Sequence, residues 1–198
     1  RCWFLPEIAP IAEYPEIQFS LKMRLGWENA SECMVLVELL NALRLSRIAL
    51  HARTGKQQYK GHPDLEAFQG FYELCQHPLY YNGDIESLSD IRQILTRFPL
   101  LKGVFIGRGL LSSPLLAKEF KGNETFLPEQ RMSIYFAFHE ELFSAYSQVL
   151  QGETQLLVKM KTLWEYFLPE TDRKLLKRIK KSTRLQQYTE SVKAIFTS

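Results

Sequence analysis

The first half of the chain alternates short apolar runs with longer stretches in which apolar residues recur every three or four positions. The short runs predict β-strands at residues 18–25, 47–50, 78–81 and 103–106. The longer stretches predict helices at residues 31–43, 64–75 and 88–98. Ser31 is placed to cap the first of these helices. Because parallel strands are joined through long crossovers, the alternation predicts an α/β fold with a parallel sheet.

The second half of the chain shows the apolar spacing of helices alone. After Pro114 the strand pattern disappears, and helices are predicted at residues 128–150, 153–167, 172–179 and 183–196. We place the domain boundary near Gly122 and Asn123. The chain is therefore expected to hold an α/β domain at residues 1–122 and a helical domain at residues 123–198.

Every predicted strand ends in polar residues or glycine. The endings are Lys22 and Arg24, then His51 and Arg53, then Asn82, Gly83 and Asp84, and finally Gly107, Arg108 and Gly109. In parallel barrels the loops that follow the strands converge on one mouth, where the functional residues lie. The last two endings suit a phosphate, because glycine lets backbone N–H groups approach an anion and arginine adds a charged fork.

The composition is that of an ordinary globular protein, with 45% hydrophobic and 24% charged residues among 198. The cysteines Cys2, Cys33 and Cys75 have no spacing that would bind a metal, so no metal site is predicted. Scattered cysteines in odd number favour a reducing, cytoplasmic location. No apolar run approaches the length of a membrane helix and no leader peptide is recognisable, so neither membrane insertion nor secretion is expected.

A basic cluster lies between residues 173 and 184, in a chain whose net charge is only +3. Its members are Arg173, Lys174, Lys177, Arg178, Lys180, Lys181 and Arg184. This density suits an anionic partner such as RNA, while a solvated helix face is the plainer interpretation. Trp164, Tyr166 and Tyr188 are available to stack on an unpaired base, although core packing is the commoner role of such aromatic residues.

Four short sequences, taken together, resemble the ordered signature of the tRNA-dihydrouridine synthases. They are residues 21–26 (LKMRLG), residues 51–54 (HART) with Tyr59 and Gly61, residues 82–85 (NGDI) and residues 106–109 (IGRG). The resemblance extends over nearly the whole chain. It implies the second half of an FMN-binding (β/α)8 TIM barrel at residues 1–122, followed by a helical tRNA-binding domain at residues 123–198.

The resemblance implies an enzyme that uses FMN and NADPH to reduce the C5=C6 bond of uracil in tRNA. The residues that it implies for FMN binding are Lys22, His51, Asn82, Gly83, Asp84, Gly107 and Arg108. The residues that it implies for contact with tRNA are Arg24, Arg53, Lys177, Arg178, Lys180 and Lys181.

Several of these residues have alternative roles that the sequence leaves open. Lys22 is expected beside the flavin ring, where its charge would stabilise reduced flavin, or else in a structural ion pair. His51 is expected at the edge of the flavin or the uracil, or else in a structural role. Arg53 is expected to meet an RNA phosphate or to shape the pocket. Asp84 is expected to help hold FMN or to cap the following helix.

The chain departs from the family pattern at its start. The resemblance implies a general-acid cysteine on an earlier barrel strand, and Cys2 does not have that cysteine's sequence context. No catalytic residue is therefore assigned, and the chain alone is expected to be inactive or very weakly active. Four parallel strands cannot close a barrel, and the exposed edges and apolar surface of a half barrel favour self-association.

Two rival functions remain open from the sequence. One is another FMN-dependent barrel oxidoreductase that acts on a small molecule, since phosphate-binding strand ends recur among flavin barrels. The other is a non-catalytic RNA-binding module, which would hold tRNA in a salt-dependent way without flavin. The basic cluster argues against the first rival, and bound flavin would exclude the second. The sequence does not reveal the uridine position that is modified.

Overall fold

The computed structural model describes residue 14 and residues 16–197. Cys2, considered above, lies outside the described residues. The chain divides into two compact units between Ile106 and Gly107. The predicted division into an FMN-binding domain at residues 1–122 and a tRNA-binding domain at residues 123–198 concerns function, and it stays a prediction.

The first unit is a parallel four-stranded sheet with helices between its strands. Its strands are β1 (Phe19–Gly26), β2 (Leu45–Thr54), β3 (Leu79–Asn82) and β4 (Gly103–Phe105). Its helices are α1 (Glu32–Asn41), α2 (Leu65–Leu74) and α3 (Leu88–Arg97). The strands are paired in chain order, β1-β2-β3-β4, and every pair is parallel. This succession of βα units confirms the predicted α/β class and matches half of a (β/α)8 barrel.

The second strand is longer than the sequence predicted. The apolar pattern placed its end at Leu50, but pairing with β1 continues until Gly26 is opposite Thr54. His51 and Arg53 consequently lie within the strand, because the hydrogen-bonded ladder holds the backbone extended beyond the apolar run. Arg24, His51 and Asn82 are register partners on β1, β2 and β3.

The two faces of the sheet differ in character because successive side chains of a strand point to opposite sides. Leu25, Ile48 and Leu50 have no exposed surface, and they alternate along their strands with Lys22, Arg24 and His51. Phe68 and Phe71 of α2 are also fully buried. Burying each such side chain contributes about 2 kcal/mol. One face therefore forms the apolar core with the helices, and the other carries the polar residues.

The helix caps follow the sequence in part. Ser87 caps α3, with its hydroxyl accepting from the backbone N–H of Asp90 at 3.2 Å, so the suggestion that Asp84 caps this helix is wrong. Ser31 makes no side-chain cap bond at the start of α1. The Glu32 carboxylate instead accepts three backbone N–H groups of the preceding turn, at 2.7–2.9 Å. The Glu32 side chain thus holds the turn that precedes α1, and Ser31 does not cap the helix as predicted.

The second unit is helical throughout its described residues. Its helices are α4 (Arg108–Ser112), α5 (Leu116–Gly122), α6 (Pro128–Val149), α7 (Glu153–Leu163), α8 (Arg173–Lys181) and α9 (Leu185–Phe196). The short helices α4 and α5 were not predicted. Met160, Trp164, Phe167, Ile179 and Tyr188 form the centre of its core, each at most 2% exposed. None of the helices in residues 16–197 is both long and apolar enough to cross a membrane.

Candidate functional site

Polar side chains from three neighbouring strands share the sheet face opposite the helical core. Arg24, His51 and Asn82 are opposite one another in register, and Lys22 lies two residues before Arg24 on the same face. Adjacent strands are about 4.8 Å apart, so these side chains project from a patch a few residues wide. The structure thus brings together the first three of the four predicted strand endings.

His51 is a buried imidazole that keeps its ring nitrogens unpaired within the described residues. Its side chain is only 6% exposed, and none of the described residues forms a hydrogen bond with it. Burial, followed by the positive charges of Arg24, Arg53 and Lys22, lowers the pKa of His51 to about 4. The ring is therefore neutral near pH 7 and offers one donor and one acceptor nitrogen to a ligand.

Lys22 presents its ammonium group on the same face. The side chain is exposed, and no described residue forms a hydrogen bond or ion pair with it. The structural ion pair considered as an alternative is therefore absent from the described part of the chain. An unpaired cation beside a neutral imidazole suits a ligand that carries or develops negative charge.

Arg24 holds the loop between β2 and α2. Its Nη1 donates to the backbone oxygens of Thr54 at 2.8 Å and Gln58 at 3.0 Å. The guanidinium carbon lies 5.8 Å from the centre of the Tyr59 ring, and Tyr59 is 63% exposed. The sequence did not indicate this tether, because its partners lie about thirty residues further along the chain.

Arg53 donates hydrogen bonds to other residues of the chain from both terminal nitrogens of its guanidinium, while its buried Nε has no partner among the described residues. Its side chain is 1% exposed, and its Nη1 and Nη2 donate to the two oxygens of Asp84 at 2.7 and 2.5 Å. Nη2 also donates to the backbone oxygen of Gly61 at 2.6 Å. Burial leaves the guanidinium no surface for a phosphate of RNA. Of the two roles expected for Arg53, shaping the pocket is the one that its contacts support.

The loop after β3 has a backbone that requires glycine. Gly83 has a φ of +152°, and a Cβ placed on it would lie 2.8 Å from the hydroxyl oxygen of Tyr81. Asn82, just before it, donates from Nδ2 to the backbone oxygen of Phe105 at 2.9 Å and so joins the ends of β3 and β4. The loop therefore starts from a fixed point on the sheet.

Gly107 and Arg108 follow β4 in the chain and begin the second unit. A Cβ on Gly107 would have nothing within 4 Å among the described residues, so open space adjoins its backbone. Packing alone does not account for a glycine at this position.

The residues of the basic cluster do not all lie on the same face of helix α8. A groove of about 440 Å³ between α8 and α9 is lined by basic, polar and acidic side chains, namely Lys174, Lys177, Arg178, Lys181, Ser182, Gln187, Glu190 and Ser191. Lys180, which the sequence grouped with the RNA contacts, does not line this groove. Counted from Lys174, the groove residues Lys177, Arg178 and Lys181 follow at intervals of three, four and seven, which place them on one helix face, whereas Lys180 follows at an interval of six.

The aromatic residues proposed for base stacking are mostly core residues. Trp164 is 2% exposed and Tyr188 has no exposed surface, while Tyr166 is 36% exposed. The Tyr188 hydroxyl accepts a hydrogen bond from Trp164 Nε1 at 2.9 Å and lies 2.6 Å from Nε2 of His139. Burial excludes stacking by Trp164 and Tyr188 in this fold. The sequence did not single out His139, whose partner Tyr188 is distant in the chain.

Comparisons with known proteins identify the family to which the chain belongs. The family model described as Dihydrouridine synthase (Dus) matches residues 10–197. A probable tRNA-dihydrouridine synthase of Rhizobium leguminosarum bv. phaseoli is 36% identical over 100 residues, which are 50% of this chain and 31% of that protein. One from Aquifex aeolicus is 36% identical over 105 residues, 53% of this chain and 33% of its own.

A further relative has a specified uridine position in its name. The tRNA-dihydrouridine(16) synthase of Escherichia coli K12 is 28% identical over 110 residues, which are 55% of this chain and 35% of that protein. The chain thus spans about a third of the length of the curated relatives it matches. Because the family model covers nearly all of its residues, the chain belongs to the dihydrouridine synthase family.

Proposed function

We propose that the parent protein, meaning the longest natural polypeptide that contains these 198 residues, is a tRNA-dihydrouridine synthase. It reduces the C5=C6 bond of uracil in tRNA and depends on FMN and NADPH. Family membership and the names of the relatives support this function. The observation that carries it is the patch in which unpaired Lys22 and neutral His51 adjoin the strand end at Asn82.

The residues of the chain fit a phosphorylated flavin. Open space beside Gly107 and the backbone conformation of Gly83 are features that an anion-binding loop requires. Asn82, Gly83, Gly107 and Arg108 would hold the phosphate. Lys22 and His51 would adjoin the ring system. When bound and reduced by NADPH, FMN would supply the hydride for the C5=C6 bond.

The charges of Lys22 and His51 suit these roles. The Lys22 ammonium stabilises negative charge on a reduced ring system placed beside it, which is how proteins tune the electronics of a cofactor. His51 remains neutral, since its pKa is lowered to about 4, and it positions its ligand by hydrogen bonding rather than by charge. The two side chains therefore make different contributions to one site.

The helical part of the chain is proposed to hold tRNA. The groove lined by Lys177, Arg178 and Lys181 presents positive charge at exposed positions, as contact with phosphates requires. Asp172 fixes the start of α8 by accepting from the backbone N–H of Lys174 at 2.8 Å. The basic side chains therefore project from an ordered helix.

The decisive experiment is purification of the parent protein followed by an absorbance scan and an assay of tRNA. We expect a flavin spectrum, release of FMN on denaturation, and NADPH-dependent formation of dihydrouridine in tRNA measured by mass spectrometry. A colourless protein that leaves tRNA unchanged would refute the proposal. Bound flavin with turnover of a small molecule alone would favour the barrel oxidoreductase, and tRNA binding without flavin would favour the binding module.

Three expectations about the chain remain predictions. The 198-residue chain alone is expected to show little or no activity, measured by the same tRNA assay. Self-association through the edges of the sheet is expected, and sedimentation would detect it. A cytoplasmic location is also expected and is testable by fractionation of cells.

A further inference from the structure

A partly buried ion pair joins strand β2 to the loop after β3 near the candidate site. Arg53 of β2 is 1% exposed at its side chain, whereas Asp84, just after β3, is 30% exposed. Two N–H groups of the guanidinium donate to the two carboxylate oxygens, at 2.7 and 2.5 Å. This bidentate geometry fixes orientation as well as distance. Asp84 is therefore held in one direction relative to β2.

The same guanidinium also holds the loop after β2. Arg53 Nη2 donates to the backbone oxygen of Gly61 at 2.6 Å, and Gly61 has a φ of +63°. Arg24 supports this loop independently through the backbone oxygens of Thr54 and Gln58. One side chain on a central strand thus connects the loop after β2 with the loop after β3.

The backbone at the connected loop is an unusual one. Asp84 has a φ of +33°, which is uncommon for a residue other than glycine, and it directly follows Gly83 with its φ of +152°. Such conformations persist where the surrounding structure determines them. The hydrogen bonds from Arg53 fix the Asp84 carboxylate, and they thereby restrain the backbone of Asp84 in this conformation.

We infer that Arg53 and Asp84 are positioning residues that hold Gly83 in the conformation that receives the cofactor phosphate. This inference rests on the proposed function and deepens it. It assigns Asp84 a task toward Arg53 instead of direct contact with FMN, and it assigns Arg53 a task inside the protein instead of contact with RNA. In this arrangement Arg53 on β2 holds Asp84, and Asp84 directly follows Gly83 in the loop after β3.

The test compares two flavins that differ in the phosphate. FMN carries the phosphate that the Gly83 loop is proposed to bind, and riboflavin lacks it. In the parent protein, Asp84→Asn should weaken FMN binding about 10- to 100-fold, the range seen when an outer partner of a ligating group is removed. Riboflavin binding should change less than about twofold, because its ring contacts are left intact. Titration of flavin fluorescence measures both affinities.

A matched variant controls for the loss of an ion pair as such. Glu66→Gln removes the pair that Glu66 forms with Arg97 at 2.5 Å, where both side chains are exposed. Exposed pairs contribute little, so this variant should bind FMN and riboflavin as the unsubstituted protein does. Arg53→Lys keeps the positive charge but loses the bidentate fork, and it should reproduce the selective loss of FMN affinity. It also serves in place of Asp84→Asn if that variant does not fold.

The outcomes separate this inference from the proposed function. A parent protein that binds neither flavin refutes the proposed function, and this inference with it. A parent that binds FMN while the Asp84 and Arg53 variants bind it equally well refutes the positioning role alone. Equal losses of FMN and riboflavin affinity also refute it, since they indicate general damage. Faster hydrogen exchange confined to amides 83–87 in Asp84→Asn would support it.

Discussion

The two units each bury a histidine, and the two side chains differ in what surrounds them. His139 of the helical unit is 1% exposed, with Nε2 2.6 Å from the Tyr188 hydroxyl and Nδ1 3.1 Å from the Glu140 carboxylate. His51 of the sheet is 6% exposed and has no hydrogen-bond partner among residues 16–197. Burial is the leading cause that lowers both pKa values.

The difference distinguishes a buried histidine that stabilises the fold through hydrogen bonds from one whose ring nitrogens are available to a ligand. Buried polar groups in native proteins are nearly always hydrogen-bonded, so an exception calls for an explanation. His139 meets the rule through its own chain. No described residue forms a hydrogen bond with His51, so its ring nitrogens remain available to water or to a ligand. Trp164 is likewise hydrogen-bonded to Tyr188 within its own unit, whereas exposed Lys22 has no hydrogen-bond or ion-pair partner among the described residues.

The largest expected effect is on stability, and it tests the structural role of His139. His139→Ala in the 198-residue chain should lower the free energy of unfolding by about 3 kcal/mol, because it leaves a cavity and removes the hydrogen bond between His139 and the buried Tyr188 hydroxyl. His51→Ala is the matched variant and should cost less than about 1 kcal/mol, because no hydrogen bond is lost. Denaturant unfolding measures both, and equal losses would contradict the distinction.

The next effect concerns Lys22 as an unpaired functional cation. In the parent protein, Lys22→Met should lower the rate of dihydrouridine formation about a hundredfold, since a charge that stabilises the reacting system is removed. Lys102→Met is the control. Lys102 is exposed and directly precedes the N-terminal end of β4, whereas the candidate site lies toward the C-terminal ends of the strands. Single-turnover rates with tRNA provide the measurement. A similar loss of rate in both variants would contradict a role for Lys22 in the site.

A smaller effect is expected from pH and separates the two histidines again. The pKa of His51 is lowered from 6.5 to about 4, so the unfolded chain takes up the proton first as the pH falls. The stability contributed by neutral His51 is complete above pH 6.5 and is lost progressively between pH 6.5 and 4. At pH 5 the loss should be about 2 kcal/mol relative to pH 8.

Denaturant unfolding of the unsubstituted chain and of His51→Ala at both pH values measures this contribution. The variant should lack the part of the pH dependence that His51 supplies, while the part due to His139 is retained in both proteins. Identical pH dependence in the two proteins would show that His51 is not held in the neutral state by the fold.

The smallest effect concerns the basic groove and tests which charges meet RNA. Lys177→Glu with Arg178→Glu should weaken tRNA binding about tenfold at moderate salt and reduce the slope of log affinity against log salt by about two. Arg173→Glu with Lys180→Glu changes the net charge equally but lies outside the groove lining, and it should have less than half that effect. Filter binding across a salt series measures both effects. Equal effects of the two double variants would indicate that the whole basic cluster contacts RNA, and not only the residues that line the groove.

The sequence predicted the strands and helices well where the pattern was local. The end of β2 was misplaced because residues 51–54 are polar or small, and only their pairing with β1 reveals the strand. Ser31 does not cap α1 as predicted, and the turn before this helix is held by Glu32, which accepts the N–H groups of Trp27, Glu28 and Asn29. Both errors arise where a neighbour in space, or a competing side chain, overrides a local preference.

The candidate site was predictable in its members more than in their tasks. Sequence order placed Lys22, His51 and Asn82 at strand ends, and parallel strands present their carboxyl ends at a shared edge. The capture of Arg53 by Asp84 was not predictable, since a side chain's partner depends on which loops meet. Arg24 likewise proved to hold a loop, and a role in RNA contact remains a prediction for it.

The sequence by itself determined the class of the fold, the order of its strands and helices and the grouping of the polar residues toward the C-terminal parts of the strands. These features follow from side-chain period and from turn chemistry, which act over a few residues. The tertiary structure decided which of those residues are paired. Hydrogen bonds across 31 residues for Arg53 and 49 for His139 arise only after the chain folds, and they distinguish the residues that hold the protein together from those left for a ligand.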